Sequence, residues 1–359
     1  MKIEGIDHVE LYVRDPLRSA AALCYGYGFQ IAGGASPATG LPGQESLLLR
    51  QGRIQLLLTR GLDAGHPAVA YTRRHGEGVA AVAILTDDAR EAFATAVAGG
   101  AAALAPPSLA EGSDSSVRTA SVTGFGDVAL TFVERSGPGD EFAPGAAEML
   151  APAPPAGEPL FDALDHLAVC LPGGGLAPAL QRCGSAFGLN RIFDERIDIG
   201  GQSMISTVVQ DPSGQVTFTL IEPDVSRDPG QIDDFLRAHD GAGVQHVALR
   251  TADIITAVRT LSGRGVEFLT APGEYYASLE GRLGSLAIGV DQLRTWNVLA
   301  DRDAGGQMFQ IFARSVHERH TFFYELIERR GALTFGSQNI RALYEALEAE
   351  RAAATRRGQ

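Results

Sequence analysis

Two histidines and one glutamate in the second half of the chain have the types and the spacing of a metal-binding set. His166, His246 and Glu325 each fall within a strand-like run, and 80 and 79 positions separate them. Near-equal spacing is expected when ligands come from equivalent strands of repeated units around one cavity. Two imidazoles and one carboxylate on one face of a metal leave open positions, as in non-haem Fe(II) enzymes that use O2. Zinc hydrolases use the same residue types, so the set predicts a metal without identifying it.

An internal repeat supports this prediction, because its two copies differ at the ligand positions. The stretch Gly-Ala-Gly-Val-Gln-His-Val at 241–247 matches Gly-Glu-Gly-Val-Ala-Ala-Val at 76–82, and Glu-Leu-Ile-Glu-Arg at 325–329 matches Thr-Phe-Val-Glu-Arg at 131–135. His8 aligns with His166, but Ala81 and Thr131 stand where the second half has its other two ligands. We therefore predict a metal site in the second half and a supporting first half. A single histidine at a strand start is more often a hydrogen-bonded core residue, which is what we expect of His8.

The elements that must position these residues repeat four times in one order. Helical spacing near 16–25, 88–97, 176–187 and 254–264 alternates with groups of strand-like runs, so we predict four βαβββ units. The fold class expected is α+β, with two domains of paired units, each an open, curled, mostly antiparallel sheet. We place the domains at 1–135 and 161–359, joined by a Pro- and Gly-rich linker at 136–160. A C-terminal helix is predicted from Ser337 onward, either as a lid or as a docked end of the domain.

Composition argues against several classes of partner. The 359 residues are 45% apolar with a net charge of −13, and no basic cluster follows an aromatic stripe, so we expect neither nucleic acid nor membrane as a partner. The N-terminus lacks an apolar signal region, and three cysteines without a CxxC spacing predict reduced thiols. A cytoplasmic protein is the expectation, and we expect a homodimer.

Five linked motifs carry a resemblance to a known family. They are Asp165-His166, the 241–246 stretch, Gln310-Ile311-Phe312, Phe-Tyr-Glu-Leu-Ile-Glu-Arg at 323–329, and Phe-Gly-Ser-Gln-Asn at 335–339. In these the chain resembles the 4-hydroxyphenylpyruvate dioxygenase family of the vicinal-oxygen-chelate superfamily, strongly after about residue 160 and weakly before it.

The resemblance implies Fe(II) held by His166, His246 and Glu325, with an arylpyruvate and O2 as the small-molecule partners. It implies no catalytic group beyond the iron centre. It also implies a substrate pocket formed by Ser206, Thr219, Ile221, Gln231, Gln245, Gln310, Phe312, Phe323, Phe335, Asn339 and Ile340. Ordinary core packing for the phenylalanines, and a helix start for Gln231, are the alternatives at those positions.

Two departures from the family pattern bear on the product. Family members that make homogentisate usually carry Pro-x-Asn-Glu-Pro where this chain has Thr-Leu-Ile-Glu-Pro at 219–223, and Phe where Ile340 stands. An amide facing the substrate is thus replaced by Ile221. The sequence resembles the branch of the family that hydroxylates the benzylic carbon and releases (S)-4-hydroxymandelate and CO2, which suggests a role in making antibiotic precursors. Homogentisate formation is the alternative.

Two further classes share the scaffold. A metal-dependent lyase or ring-cleaving dioxygenase would keep the ligands without the pocket glutamines, and keto-acid-dependent O2 uptake distinguishes it. A small-molecule-binding protein of this fold needs no metal triad, and metal analysis distinguishes that.

Overall fold

Two large sheets organise the chain, for which we have a computed structural model that describes residues 1–137, 141–150, 158–336 and 339–342. The first sheet has the strand order β6-β7-β8-β5-β1-β4-β3-β2-β9, and the second has the order β11-β12-β13-β10-β14-β17-β16-β15. The strands are β1 (Ile3–Tyr12), β2 (Gln30–Ala35), β3 (Gln44–Gln51), β4 (Ile54–Gly61), β5 (Gly78–Thr86), β6 (Ala103–Glu111), β7 (Ser116–Phe125), β8 (Val128–Ser136), β9 (Glu148–Met149), β10 (Ala163–Cys170), β11 (Asn190–Ile199), β12 (Gln202–Gln210), β13 (Thr217–Pro223), β14 (Gly243–Arg250), β15 (Leu299–Arg302), β16 (Gln307–Phe312) and β17 (Phe323–Arg330).

The helices lie between the strands in the order that the repeat predicts. They are α1 (Pro16–Ala22), α2 (Pro67–His75), α3 (Ala89–Ala98), α4 (Leu176–Phe187), α5 (Gln231–His239), α6 (Ile254–Gly263), α7 (Gly273–Ala277), α8 (Leu279–Leu283) and α9 (Val290–Thr295). Asp88 and Asp253 accept hydrogen bonds from the first-turn amides of α3 and α6, and Gly188 ends α4 with a φ of 67°. Of the described residues, no helix is long and apolar enough to cross a bilayer.

Each sheet is assembled from two βαβββ units, which confirms the predicted fold class. Within each unit the first strand pairs in parallel with the last, as in β10 with β13 and β14 with β17. The first strands of the two units then pair antiparallel, β1 with β5 and β10 with β14, and join the units into one open, curled sheet. Fully buried rings such as Phe125, Phe187 and Phe218 pack between the sheets and their helices.

The strand register confirms the repeat alignment. In the second half His166 pairs with Ala248, His246 with Ala168, and Ala248 with Glu325. In the first half His8 pairs with Ala83, Ala81 with Glu10, and Ala83 with Thr131. Ala81 and Thr131 therefore occupy the register positions of His246 and Glu325.

Three parts of the fold differ from the expectation or add to it. Helix α2 was not predicted, and neither were the three short helices α7 to α9. Strand β9 pairs with β2, so the segment expected to be a linker contributes a short outer strand to the first sheet. The domain boundaries at 135 and 161 stay a prediction. Residues 339–342 are helical, and the rest of the predicted C-terminal helix lies outside the described residues.

Helix α2 of the first half contacts α5 of the second through two stacked histidines. The rings of His75 and His239 lie 4.4 Å apart at 22°, and Phe235 stacks on the other face of His239 at 5.1 Å. Nδ1 of His75 lies 2.5 Å from the His239 carbonyl oxygen, and Arg74 donates to Asp240. Burial, together with the neighbouring His75, lowers the pKa of His239 to about 4.

Candidate metal centre

The three predicted ligands converge on the central strands of the second sheet. His166 lies on β10, His246 on β14 and Glu325 on β17, and one ligand atom from each lies within 4.8 Å of the others. Oε2 of Glu325 is 3.4 Å from Nε2 of His166 and 3.3 Å from Nε2 of His246. All three side chains are buried. Two imidazole nitrogens and one carboxylate oxygen at one point suit a divalent transition metal.

The electrostatics of the triad show why a cation fits there. Although burial alone raises the pKa of Glu325, the two imidazoles bring it below its ordinary value. Burial lowers the pKa of His246, whereas the carboxylates of Glu325 and Asp165 outweigh burial and raise the pKa of His166 to about 9. Oε1 of Glu325 is buried without a hydrogen-bond partner among the described residues. A buried carboxylate with one unsatisfied oxygen is costly unless a cation lies beside it.

A β-bulge precedes each histidine of the triad. The register shifts between Leu164 and His166 on β10, and between Val244 and His246 on β14, so that Asp165 and Gln245 are the extra residues. A bulge re-aims its side chain. Oδ1 of Asp165 lies 2.8 Å from Nδ1 of His166, and Oε1 of Gln245 lies 3.3 Å from Nδ1 of His246. Both histidines thus turn Nδ1 toward the preceding residue and Nε2 toward the metal position.

The ladder places most of the predicted pocket residues on the same face as the triad. Two neighbouring rows cross the sheet, one reading His166–Ala248–Glu325–Phe312 and the other Thr219–Ala168–His246–Phe323. Further along the same face, Ser206 pairs with Ile221 and Gln310 pairs with Ile327. These alternate residues of adjacent strands point to one side of the sheet.

Three aromatic rings surround the two histidines. Phe323 stacks on His246 at 5.0 Å and 24°, and Phe312 meets the same ring edge-on at 6.2 Å. Phe335 meets His166 edge-on at 4.9 Å. These rings enclose the triad in apolar surface, which strengthens electrostatic interactions within it.

Several buried polar atoms near the triad have no hydrogen-bond partner among the described residues. They include Oγ1 of Thr219, Oε1 of Gln310 and Nδ2 of Asn339, in addition to Oε1 of Glu325. The Gln310 and Asn339 atoms both lie within 3.3 Å of the point that a Cβ on Gly336 would occupy. Because buried polar groups are nearly always paired, such a group of unpaired atoms indicates that a ligand or water completes the site.

Ile221 and Ile340 meet in one apolar cluster. Ile221 is buried with Met204, Ile232 and Phe235, and Ile340 packs against the same group. Gln231 begins α5, one residue before Ile232, and is half-buried. The structure thereby joins the two positions that depart from the homogentisate-forming pattern.

Two supporting residues did not emerge from the sequence as site residues. Arg329 donates to both oxygens of Asp165, at 2.7 and 2.8 Å. The hydroxyl of Tyr275, on α7, lies 2.6 Å from Oδ1 of Asn339 and also contacts the backbone of Ala300. The recurrence of Asp-His and Glu-Arg in both halves was a signal for the first contact, whereas no sequence pattern pointed to the second.

Comparisons with known proteins agree with this geometry. The N-terminal domain of hydroxyphenylpyruvate dioxygenase matches residues 35–143, and the glyoxalase/bleomycin resistance protein/dioxygenase superfamily matches residues 163–280. The 4-hydroxyphenylpyruvate dioxygenase of Dictyostelium discoideum is 32% identical over 96% of this chain and 98% of its own length. That of Danio rerio is 31% identical over 97% and 90%.

The chain belongs to the 4-hydroxyphenylpyruvate dioxygenase family.

A solved structure extends the comparison to a second activity within this family. A triple mutant of 4-hydroxymandelate synthase from Streptomyces coelicolor is 42% identical to this chain, with a TM-score of 0.90, and the match covers 98% of this chain and 100% of that one. Membership of the 4-hydroxyphenylpyruvate dioxygenase family makes the chain a metal-dependent dioxygenase, as the motifs predicted.

Proposed function

We propose that this chain is a 4-hydroxymandelate synthase that holds Fe(II) through His166, His246 and Glu325. It would convert 4-hydroxyphenylpyruvate and O2 into (S)-4-hydroxymandelate and CO2. One oxygen atom of O2 ends in the carboxylate left by decarboxylation, and the other ends in the new benzylic hydroxyl. The observation that carries the choice of product is the apolar cluster of Ile221 and Ile340, at positions where homogentisate-forming members usually carry Asn and Phe.

The chain's own residues would bind the substrate and orient it. When bound, a redox-active divalent iron supplies O2 chemistry that side chains lack. His166, His246 and Glu325 would hold the metal on one side, and the carboxylate and keto oxygens of the substrate would approach from the open side of the triad. The aryl ring would then lie among Phe312, Phe323 and Phe335, and the unpaired atoms of Thr219, Gln310 and Asn339 would meet polar groups of the substrate or water.

The wall at Ile221 and Ile340 would select the carbon that is oxidised. An amide at 221 would give the ring or its hydroxyl a hydrogen-bond partner, whereas an isoleucine gives only contact. Displacements of about 1 Å in a reactive complex change which reaction follows. Without that polar anchor, we infer that the benzylic carbon, and not the ring, lies closest to the oxidant.

Product identification tests this proposal. The iron-loaded chain is incubated with 4-hydroxyphenylpyruvate under air, and the product is separated on a chiral column beside both authentic standards. We expect (S)-4-hydroxymandelate in one-to-one ratio with the CO2 released. Homogentisate as the main product would overturn the proposal in favour of the second candidate, 4-hydroxyphenylpyruvate dioxygenase, the name borne by the relatives from Dictyostelium discoideum and Danio rerio.

Two further assignments belong to the same proposal. The first half would serve as structural support and as the surface of a homodimer. Ser206, Gln231 and Gln245 would contribute to the substrate pocket, with Gln245 also supporting His246.

A further inference from the structure

One charged assembly is built twice in this molecule, and only one copy adjoins the metal triad. In the second half Arg329 donates to both oxygens of Asp165, and Asp165 contacts Nδ1 of His166. In the first half Arg135 donates to both oxygens of Asp7 at 2.6 and 2.8 Å, and Asp7 lies 2.7 Å from Nδ1 of His8. We call each Arg–Asp–His set a relay.

The two relays also share their surroundings. Nη1 of Arg329 donates to the carbonyls of Ala332 and Thr334, and its guanidinium lies 4.7 Å from the centre of the Phe335 ring. Likewise Nη1 of Arg135 donates to the carbonyls of Glu141 and Phe142, and its guanidinium lies 5.3 Å from the Phe142 ring. Phe335 meets His166 edge-on at 4.9 Å, and Phe142 meets His8 edge-on at 4.8 Å.

Ionisation of the aspartate sets the direction of each hydrogen bond. In each half two guanidinium N–H groups donate side by side to the two oxygens of one carboxylate, which is the geometry of an ion pair with an ionised aspartate. An ionised carboxylate only accepts, so Nδ1 of the histidine must carry a proton. Nε2 of His166 is then the atom that faces Glu325 and the metal position.

We propose that Arg329 is a positioning residue with two arms. Its Nε and Nη2 arm, through Asp165, fixes the ring of His166 for the metal. Its Nη1 arm, through the carbonyls of Ala332 and Thr334, fixes the segment that carries Phe335. This inference rests on the proposed function in so far as His166, His246 and Glu325 bind a divalent metal.

The chemistry of arginine explains why one residue serves both arms. Its planar fork offers five donors in fixed directions, whereas lysine offers a single point charge. Here four donor contacts join one side chain to a carboxylate and two carbonyls, and the ring of Phe335 covers the guanidinium face. A lysine could keep its charge beside Asp165 but could not also hold both carbonyls.

The first-half relay offers a matched control. Arg329→Met and Arg135→Met each leave a buried aspartate without its arginine, so the cost to folding should be similar, yet only Arg329 adjoins the triad. Co(II) is titrated into the full-length metal-free chain, and its visible absorption reports affinity and ligand geometry. We expect Arg329→Met to weaken Co(II) binding on the order of 10–100-fold and Arg135→Met to leave it unchanged.

Arg329→Lys separates the two arms and guards against a variant that fails to fold. We expect its Co(II) affinity to stay close to that of the unaltered chain, because a charge remains beside Asp165. Binding of 4-hydroxyphenylpyruvate to the Co(II) form without O2, followed by the same absorption, should weaken about tenfold because Phe335 loses its anchor. Equal Co(II) affinity in Arg329→Met and the unaltered chain overturns the first arm, and unchanged substrate affinity in Arg329→Lys overturns the second.

Two further results have a defined meaning. Equal loss of Co(II) affinity in Arg135→Met and Arg329→Met would show a general effect on folding and refute positioning. Failure of the unaltered chain to bind Co(II) would instead refute the proposed metal site itself.

Discussion

Each histidine of the proposed metal site is oriented by the residue that precedes it. Asp165 offers His166 a full negative charge, whereas Gln245 offers His246 only an amide oxygen at the longer distance of 3.3 Å. This asymmetry accompanies the opposite pKa directions of the two imidazoles, raised for His166 and lowered for His246. A charged partner makes a histidine a more basic ligand. In the proposed metal site we therefore expect His166 to be the stronger donor of the pair.

At the scale of single residues, His246→Ala should abolish metal binding by the triad. It removes one of three ligands and leaves the buried Glu325 carboxylate with a single imidazole beside it. We expect bound metal, measured by atomic emission, to fall below about a tenth of the parent value, with loss of keto-acid-dependent O2 uptake. Thr131→Ala, at the register position of Glu325 in the first half, is the control and should leave metal content alone. Full turnover by His246→Ala would refute the ligand assignment.

Ile221→Asn should change the product. The amide would restore a polar group at the wall, so we expect homogentisate to appear beside hydroxymandelate, and more of it with Ile340→Phe added. Burying the amide among Met204, Ile232 and Phe235 should lower the free energy of unfolding by about 1–3 kcal/mol. Ile221→Val, which keeps the wall apolar, should retain the parent product. Chromatography of the products and urea unfolding provide the measurements, and an unchanged product in the double variant would contradict this role.

At the scale of elements, helix α5 links the pocket wall to the other half of the molecule. Its Ile232 and Phe235 pack behind Ile221, and its last residue, His239, stacks on His75 of α2. His239 also lies directly against Gly243, where a Cβ would come within 2.3 Å of the imidazole. Gly243 starts β14, the strand that carries His246. The contact between α2 and α5 therefore borders both the wall and a ligand-bearing strand.

This contact should make stability depend on pH. The folded chain holds the pKa of His239 at about 4 against an ordinary value of 6.5, so between these values the unfolded state binds more protons. Stability is then lost as pH falls from 6.5 to 4, by about 3 kcal/mol for this group, and is unaffected by it above 6.5. His239→Phe keeps both ring stacks without a titrating group. Urea unfolding from pH 7 to 4 should show a shallower loss in this variant, and equal slopes would contradict the assignment.

Some of these elements can be predicted from local sequence pattern, whereas others depend on contacts between residues that are distant in the sequence. Helices α4 and α6 and strand β16 follow from apolar periodicity, and the triad follows from the repeat. Helix α2 reads ambiguously because Ala, Val and Tyr recur without a clear period. Helices α7 to α9 are held by tertiary packing of Tyr276, Leu279 and Leu293, which local pattern does not reveal. The bulges at Asp165 and Gln245 arise from pairing between strands. The alternation of apolar and polar residues within one strand therefore does not reveal them.

At the scale of the whole molecule, the two halves share one structural framework but differ at the positions of the proposed metal site. Both halves keep the strand register, the relay and the edge-on phenylalanine, while the second half alone has two histidines and a glutamate at the three matched positions. In the first half His8 lies within hydrogen-bond distance of Asp7 and packs edge-on against Phe142, so these two contacts account for its place in the fold. His8 is thus hydrogen-bonded as expected, but it is half-buried and not a fully buried core residue.

Because both halves share one structural framework, we predict that substitutions can create a metal site in the first half. Ala81→His with Thr131→Glu would place the two missing ligand types at the register positions of His246 and Glu325, beside His8, which its relay already orients. We expect bound Co(II) to rise from about one toward two per chain, with the second site weaker because no glutamine precedes position 81. Adding His8→Ala should return the stoichiometry to one. A stoichiometry of one in the double variant would show that the halves differ in more than their ligands.

The bulges at Asp165 and Gln245 have a consequence for how such a chain can change in length. Each bulge counts two residues against one on the neighbouring strand, so deleting Asp165 or Gln245 would restore regular pairing while removing the partner of Nδ1 and leaving the histidine in place. Deleting a regularly paired residue such as Leu167 would instead turn every following side chain of β10 to the opposite face. Insertions and deletions in relatives should therefore collect in the loops and spare both strands.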